Sequence, residues 1–489
     1  MKSISSDFLS TALRAPESTF LIDRDDEELS YRQVLLRATG FQNQLAQRGV
    51  KPGDRVVLTA PNSASYISAY LGTLLHGAIA SLVDYKSPRS HLEFVIRDTG
   101  AQVWASPEPT GPEIEKAQHL STQSGLGQEP LIGPDEVMTA PSGDALIIYT
   151  SGTTGRPKGV RLTHDNLRHS IRAIADWAEI QADNREFTTL SLTHLFGLAH
   201  VHIHWTLGGS VVIDEGLQDP NAVLSRMKRW SPTSFPATPA GLRLLLHSYP
   251  DEFAEAGAGL RHVIINSAPM RPDDTRLLMK ILPHTRCYMY YGLTEASRST
   301  WILYNRHVDK LETVGRPSRG CELKIEPRDE STDEGEGEIL LRGPHVSPGY
   351  WGDSPEDDTG SGWFATGDLG RQDSDGFVTW LGRVREQINV DGLKVSPREV
   401  EDVLREHSDV EDCVVVGCPD EIYGEVVVAF IVTRAPDPDS IELNLRRHCR
   451  DRLERHKIPR RIGVIDRVPA TASGKVQRMQ LRERARQLR

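Results

Sequence analysis

Tyr149-Thr150-Ser151-Gly152-Thr153-Thr154-Gly155-Arg156-Pro157-Lys158-Gly159-Val160 closes the apolar run Leu146–Tyr149. The glycines let a chain turn tightly and aim backbone N–H groups at phosphate oxygens. The hydroxyls of Thr150, Ser151, Thr153 and Thr154 add neutral donors, and Lys158 adds positive charge. A plain hairpin turn rarely needs two glycines, four hydroxyls and a lysine together. A strand followed by such a loop is the usual way an α/β protein holds a nucleotide phosphate. It is not a Walker A loop, because Lys158 is followed by Gly159 and not by the Ser or Thr that would hold magnesium there.

The chain on either side of the loop has the matching rhythm. Val56–Leu58 is strand-like, Ser63–His76 has helical apolar spacing, and Ile79–Val83 is strand-like again. Leu146–Tyr149, Val211–Ile213 and Val263–Ile265 continue the series, predicting an α/β fold with a mostly parallel sheet covered by helices. The acid- and Gly-rich segments Pro327–Glu338 and Gly352–Gly362 read as exposed loops. After Trp380 the pattern changes to a compact α+β unit. It has helices at Ser396–His407 and Leu443–Leu453, and strands at Val414–Val416 and Val426–Val432. A large N-terminal domain over 1–383 and a small mobile one over 384–489 follow, which also suits a chain of 489 residues.

The formal net charge of −11 disfavours nucleic acid and anionic membrane surfaces as partners. No run approaches the roughly 18 uncharged residues of a membrane span, and Met1–Arg14 lacks the apolar core of a signal peptide. Five scattered cysteines predict reduced thiols in a cytoplasmic protein, with neither a disulfide framework nor a zinc site.

Further motifs follow the loop in a fixed order: Tyr290-Tyr291-Gly292-Leu293-Thr294-Glu295, Gly362-Trp363-Phe364-Ala365-Thr366-Gly367-Asp368, Gly382-Arg383-Val384-Arg385-Glu386 and Ser473-Gly474-Lys475. With them the chain resembles the adenylate-forming superfamily from about Leu29 to Val476. That group comprises acyl- and aryl-CoA ligases, luciferase-like enzymes and peptide-synthetase adenylation domains. The resemblance implies that Thr150, Ser151, Gly152, Thr153, Thr154, Gly155 and Lys158 cradle the phosphates of ATP. It implies that Tyr290, Tyr291 and Gly292, with Ser267, Ala268 and Pro269, border the adenine. Thr294 would contact phosphate and Glu295 would hold Mg²⁺, a hard cation that wants a carboxylate oxygen. Asp368 would accept from both ribose hydroxyls, and Arg383 would contact ribose or phosphate. Lys475 would be the catalytic lysine, bridging the substrate carboxylate and the α-phosphate. Arg385 would be the hinge, and Gly392 and Lys394 would line the coenzyme A tunnel. Asp391 stands where some relatives have Lys.

His194-Leu195-Phe196-Gly197 resembles the family's His-x-x-Gly at the mouth of the acyl pocket, making His194 a catalytic and substrate-binding candidate. Phe196, His200, Pro236, Thr238, Asn266 and Ala268 are the other pocket candidates. No acid follows the motif to pair with an α-ammonium group, which argues against amino acid substrates. With no charged group evident in the pocket, the expected substrate is an uncharged aliphatic or aromatic carboxylate. His200 and His204 share a helical face at zinc-like spacing, but without a third ligand they read as pocket or core residues. The implied activity is attack of a carboxylate on ATP to give acyl-AMP and pyrophosphate, then transfer to the thiol of coenzyme A. The alternative acceptor is a carrier-protein pantetheine arm or an amine.

Overall fold

The computed structural model describes residues 3–108, 117–123, 127, 142–150, 157–327, 335–352, 362–390, 393–420, 422–433, 438–450, 452–470 and 476–488. The chain divides into two compact units, Met1–Glu322 with Leu341–Phe364, and Leu323–Leu340 with Ala365–Arg489.

The first unit is built on two largely parallel sheets. One runs in the order Gln118–Ser121, Val103–Ser106, Arg55–Leu58, Ile79–Leu82, Asp144–Thr150 and Lys158–Thr163. Only its last pair is antiparallel. The other has a parallel centre of Arg286–Tyr291, His262–Ile265, Ser234–Ala237, Arg185–Thr188, Ser210–Ile213 and Thr19–Ile22. Strands covered on both faces are largely apolar, and Ile79–Leu82, Ser210–Ile213 and His262–Ile265 are buried at every position. The helix Ala64–Leu75 is buried along almost its whole surface, so its apolar residues run all round instead of forming a stripe. It packs on Tyr31–Gln47 closely enough that a Cβ at Gly72 would lie 2.4 Å from the carbonyl of Ala38.

Within the second unit, the strands Phe364–Gln372 and Val378–Arg383 pair antiparallel, with Asp368 directly opposite Arg383. A further sheet is centred on Val410–Asp420 and Gly424–Thr433, and is covered by the helices Pro397–Arg405 and Pro438–Arg450. Cys413 and Cys418 are buried in this sheet. The segment expected as a loop to Glu338 enters its strand earlier, at Glu336. Glu336 and Glu338 alternate with buried Gly337 and Ile339, a period of two that a scan for polar runs passes over. No helix among the described residues is long and apolar enough to cross a membrane.

Candidate active site

The sequence motifs of the first unit lie at the carboxyl ends of parallel strands, where open α/β sheets gather their ligand-binding loops. Asn266–Pro269 follows His262–Ile265, and Gly292–Glu295 follows Arg286–Tyr291. His194 follows Arg185–Thr188, and Thr238 follows Ser234–Ala237.

Thr150 pairs with Lys158 across the hairpin that the phosphate-loop sequence connects. Ser151, Gly152, Thr153, Thr154 and Gly155 lie outside the described residues, as do Gly392 and Lys475. The Lys158 ammonium sits 4.8 Å from the ring centroid of Tyr350. The Tyr350 hydroxyl donates to Oε1 of Glu295 at 3.0 Å. One tyrosine therefore joins the base of the phosphate hairpin to the carboxylate of the second motif. The strap that carries Tyr350 is fixed on both sides. Its Trp351 N–H donates to the Gly159 carbonyl at 2.7 Å, and its Ser347 N–H donates to the Glu295 carbonyl at 2.7 Å. Neither Tyr350 nor the strap was evident in the sequence, although the aromatic pair Tyr350-Trp351 beside Gly349 was a signal of close packing.

Gly292 is required by the turn at this motif, since a Cβ there would lie 2.5 Å from the Arg298 nitrogen and 2.8 Å from the Ala296 oxygen. Thr294 and Glu295 are half-buried beside it. Ser267 adopts φ of 86°, a left-handed conformation that costs a non-glycine residue free energy, and it stands exposed with Ala268. Asn266 donates through Nδ2 to the Tyr290 carbonyl at 2.8 Å, tying adjacent strand ends together. Tyr290 is buried, which pushes its phenol up to about 12.

His194 is exposed at the start of the helix Leu195–Leu207. Gly197 lets that helix begin against the preceding turn, because a Cβ would lie 2.6 Å from the Ser191 oxygen. Phe196 packs edge-on against both Tyr290, at 5.7 Å, and His200, at 5.4 Å. Behind this aromatic pair lies a buried polar cluster. Nδ1 of His200 is 2.9 Å from Oε2 of Glu186, which also accepts from Ser234 Oγ at 3.0 Å and faces His204 Nε2 at 3.3 Å. The partner that the two histidines share is thus a strand carboxylate.

Arg298 belongs to the same region, with its guanidinium 5.2 Å from the Tyr290 ring centroid. It is 1% exposed, donates through Nη1 to Ser297 Oγ, and its Nε and Nη2 have no hydrogen-bond partner among the described residues. Burial alone would raise the Glu186 carboxyl, but its polar contacts with His200 and His204 hold it well below its ordinary value. Burial keeps His200 neutral, so its Nδ1–H donates to Glu186. Burial also lowers Arg298, partly offset by Tyr290 and Glu186, and the anionic Glu186 is its counter-charge. Glu186 and Arg298 went unnoticed in the sequence. Glu186 lies in the strand Arg185–Thr188, which carries no motif, and Arg298 falls just past a recognised motif.

In the second unit, Arg383 Nε lies 2.8 Å from Oδ1 of Asp368, whose side chain is buried. Arg385 is exposed in the short turn Val384–Glu386, and Lys394 lies in the strand Leu393–Val395, opposite Asn389. Ala470 and Val476, which flank the Lys475 segment, pair antiparallel.

Comparison with known proteins identifies the family. Residues 8–351 match the family model of the AMP-binding enzyme, and residues 399–475 match the AMP-binding enzyme C-terminal domain. A feruloyl-CoA synthase of Amycolatopsis sp is 30% identical over 475 residues, covering 93% of this chain and 94% of its own. The oxalate–CoA ligase of Arabidopsis thaliana is 30% identical, covering 89% of each. The o-succinylbenzoate CoA synthetase of Bacillus subtilis, solved with its acyl-adenylate intermediate, has a TM-score of 0.85 at 28% identity and 97% coverage of both chains. The same synthetase has been solved with ATP and a magnesium ion, with a TM-score of 0.83 at 28% identity, covering 97% of this chain and 99% of that one.

Proposed function

This chain belongs to the AMP-binding enzyme family, and from that premise we propose that it is an AMP-forming acid–CoA ligase. It would join a carboxylic acid to ATP as acyl-AMP, then pass the acyl group to the thiol of coenzyme A. The observation that carries this reading is the Lys158–Tyr350–Glu295 connection, which brings an ammonium on one sheet and a carboxylate after a strand of the other together through one tyrosine.

The Glu295 carboxylate fits a hard cation, being half-buried and oriented through one oxygen by the Tyr350 hydroxyl. Magnesium, when bound, would neutralise charge on the polyphosphate. Lys158 supplies a fixed cation at the base of the phosphate hairpin, and Thr294 a hydroxyl beside Glu295. Asp368 accepts from the ribose hydroxyls, with Arg383 beside it setting its orientation. Lys475 offsets the repulsion between the incoming carboxylate and the α-phosphate. Gly392 and Lys394 serve the thiol transfer, and Arg385 is the hinge.

The acid itself carries a second anionic or hydrogen-bond-accepting group. The Phe196–Tyr290 pair backs onto a buried guanidinium whose Nε and Nη2 have no acceptor among the described residues, and buried N–H groups are costly to leave that way. This departs from the uncharged acid that the sequence suggested. The test is mass spectrometry of products from Mg·ATP, CoA and paired acids, each plain monocarboxylate beside an analogue with a distal carboxylate or carbonyl. Acyl-CoA should form from the substituted acids, and Arg298→Met should lower kcat/KM for those acids by roughly tenfold or more. Preference for plain acids would overturn the distal-group reading. Absence of acyl-AMP with every acid would overturn the ligase.

A further inference from the structure

His169, Cys321 and His345 come from three separate parts of the first unit: the helix His164–Ala178, the turn before Glu322–Glu326, and the strap after Glu336–Arg342. Their ligand atoms all lie within 4.8 Å of one another. Cys321 Sγ is 3.2 Å from His345 Nδ1 and 3.8 Å from His169 Nε2. A tetrahedral zinc ion with bonds of about 2.3 Å to sulfur and about 2.05 Å to nitrogen sets sulfur and nitrogen about 3.6 Å apart. The two observed separations bracket that value.

The second shell is also in place. Ser299 Oγ donates to the Ala296 carbonyl at 3.0 Å, so toward His345 Nε2, at 3.1 Å, it can only accept. Nε2 therefore carries the proton and Nδ1 turns a bare lone pair toward Cys321. An imidazole fixed in this way by an outer-shell acceptor is the usual support of a metal-ligating histidine. Two glycines leave room for the imidazole rings. A Cβ at Gly343 would approach His345 Nδ1 to 3.0 Å, and one at Gly320 would approach His169 Cε1 to 3.2 Å. Cys321 and His345 are buried while His169 is half-buried, which leaves an approach from solvent on the His169 side.

We propose that His169, Cys321 and His345 bind one borderline-soft divalent cation of the zinc class, with the fourth position left to water. On binding, the Cys321 S–H bond breaks, the proton leaves to solvent, and the thiolate and two neutral imidazoles coordinate the ion. The ion would tie the helix to the strap whose Ser347 N–H holds the Glu295 carbonyl, so it acts on the stiffness of the strap and not on the reaction.

The experiment uses the full chain, stripped with a chelator and free of nucleotide, titrated with Zn²⁺ against a chromophoric chelator and separately with Co²⁺. One ion should bind per chain, and Co²⁺ should produce a near-ultraviolet thiolate-to-cobalt charge-transfer band. Cys321→Ser should abolish that band, and Ser299→Ala should weaken Zn²⁺ binding by roughly 10- to 100-fold. Substoichiometric zinc, a cobalt complex of the unaltered chain without the thiolate band, or the band persisting in Cys321→Ser would each overturn the site. The cobalt spectrum of the unaltered chain decides the matter even if a variant fails to fold.

Discussion

Tyr350 is the residue on which the active-site arrangement turns, although it belongs to none of the recognised motifs. Its hydroxyl orients Glu295 and its ring lies under the Lys158 ammonium, so the two roles can be separated by mutation. Tyr350→Phe keeps the ring and loses the hydrogen bond. Since Glu295 is only half-buried, the loss is that of a partly solvated bond to a charged acceptor. The magnesium concentration for half-maximal acid-dependent pyrophosphate exchange should rise roughly three- to tenfold, with the apparent affinity for the acid unchanged. An equal loss in the affinity for the acid would mean that the hydroxyl acts on the whole pocket and not on Glu295. Asp368 shows how far reading single residues goes. A carboxylate suited to a diol is legible in sequence, but its cross-strand partner Arg383 is set by sheet register, which spacing in the sequence does not reveal.

Turns between strand and helix decide the elements. Gly197→Ala places a methyl group 2.6 Å from the Ser191 carbonyl, and backbone on both sides prevents easy relief. It should destabilise the first unit by about 1–3 kcal/mol in urea unfolding and lower adenylation by shifting Phe196. Unchanged stability would show that the helix start is loose. At this scale much of the fold was legible. Runs such as Ile79–Val83 and Val426–Val432 gave strands, since a strand buried on both faces is largely apolar. The segment read as a phosphate loop joins two antiparallel strands that pair at Thr150 and Lys158. What stayed hidden was the partnership of remote segments. Cys321 looked solitary because its two histidines lie 152 and 24 residues away. Glu186 carries no motif in the sequence, and only packing brings the helical histidines onto it.

Across the whole first unit, burial leaves several imidazoles neutral. Burial, with Arg168, lowers His164 to about 4; burial, with Arg298 and His164, lowers His202 to about 3; burial, with Arg286 and Arg261, lowers His262 to about 4. Unfolded, each takes a proton near its ordinary value of about 6.5. The stability they contribute is fully present above that pH and is lost as pH falls toward 4, by up to about 1.4 kcal/mol per pH unit for each group. Urea unfolding of this unit should therefore weaken steeply from pH 7 to 5, and His202→Phe should make the slope shallower by one proton. A flat profile would contradict the burial of these rings. The change of pattern after Trp380 was legible from composition and motif order, and the family's C-terminal model covers residues 399–475 beyond it. The central claim is that a carboxylate oxygen attacks the α-phosphorus of ATP, and isotope transfer tests it most directly. With an ¹⁸O-labelled acid identified by the product screen, each turnover with CoA should place one ¹⁸O in AMP and none in pyrophosphate. Label appearing in inorganic phosphate alongside ADP, or AMP free of label, would contradict the account.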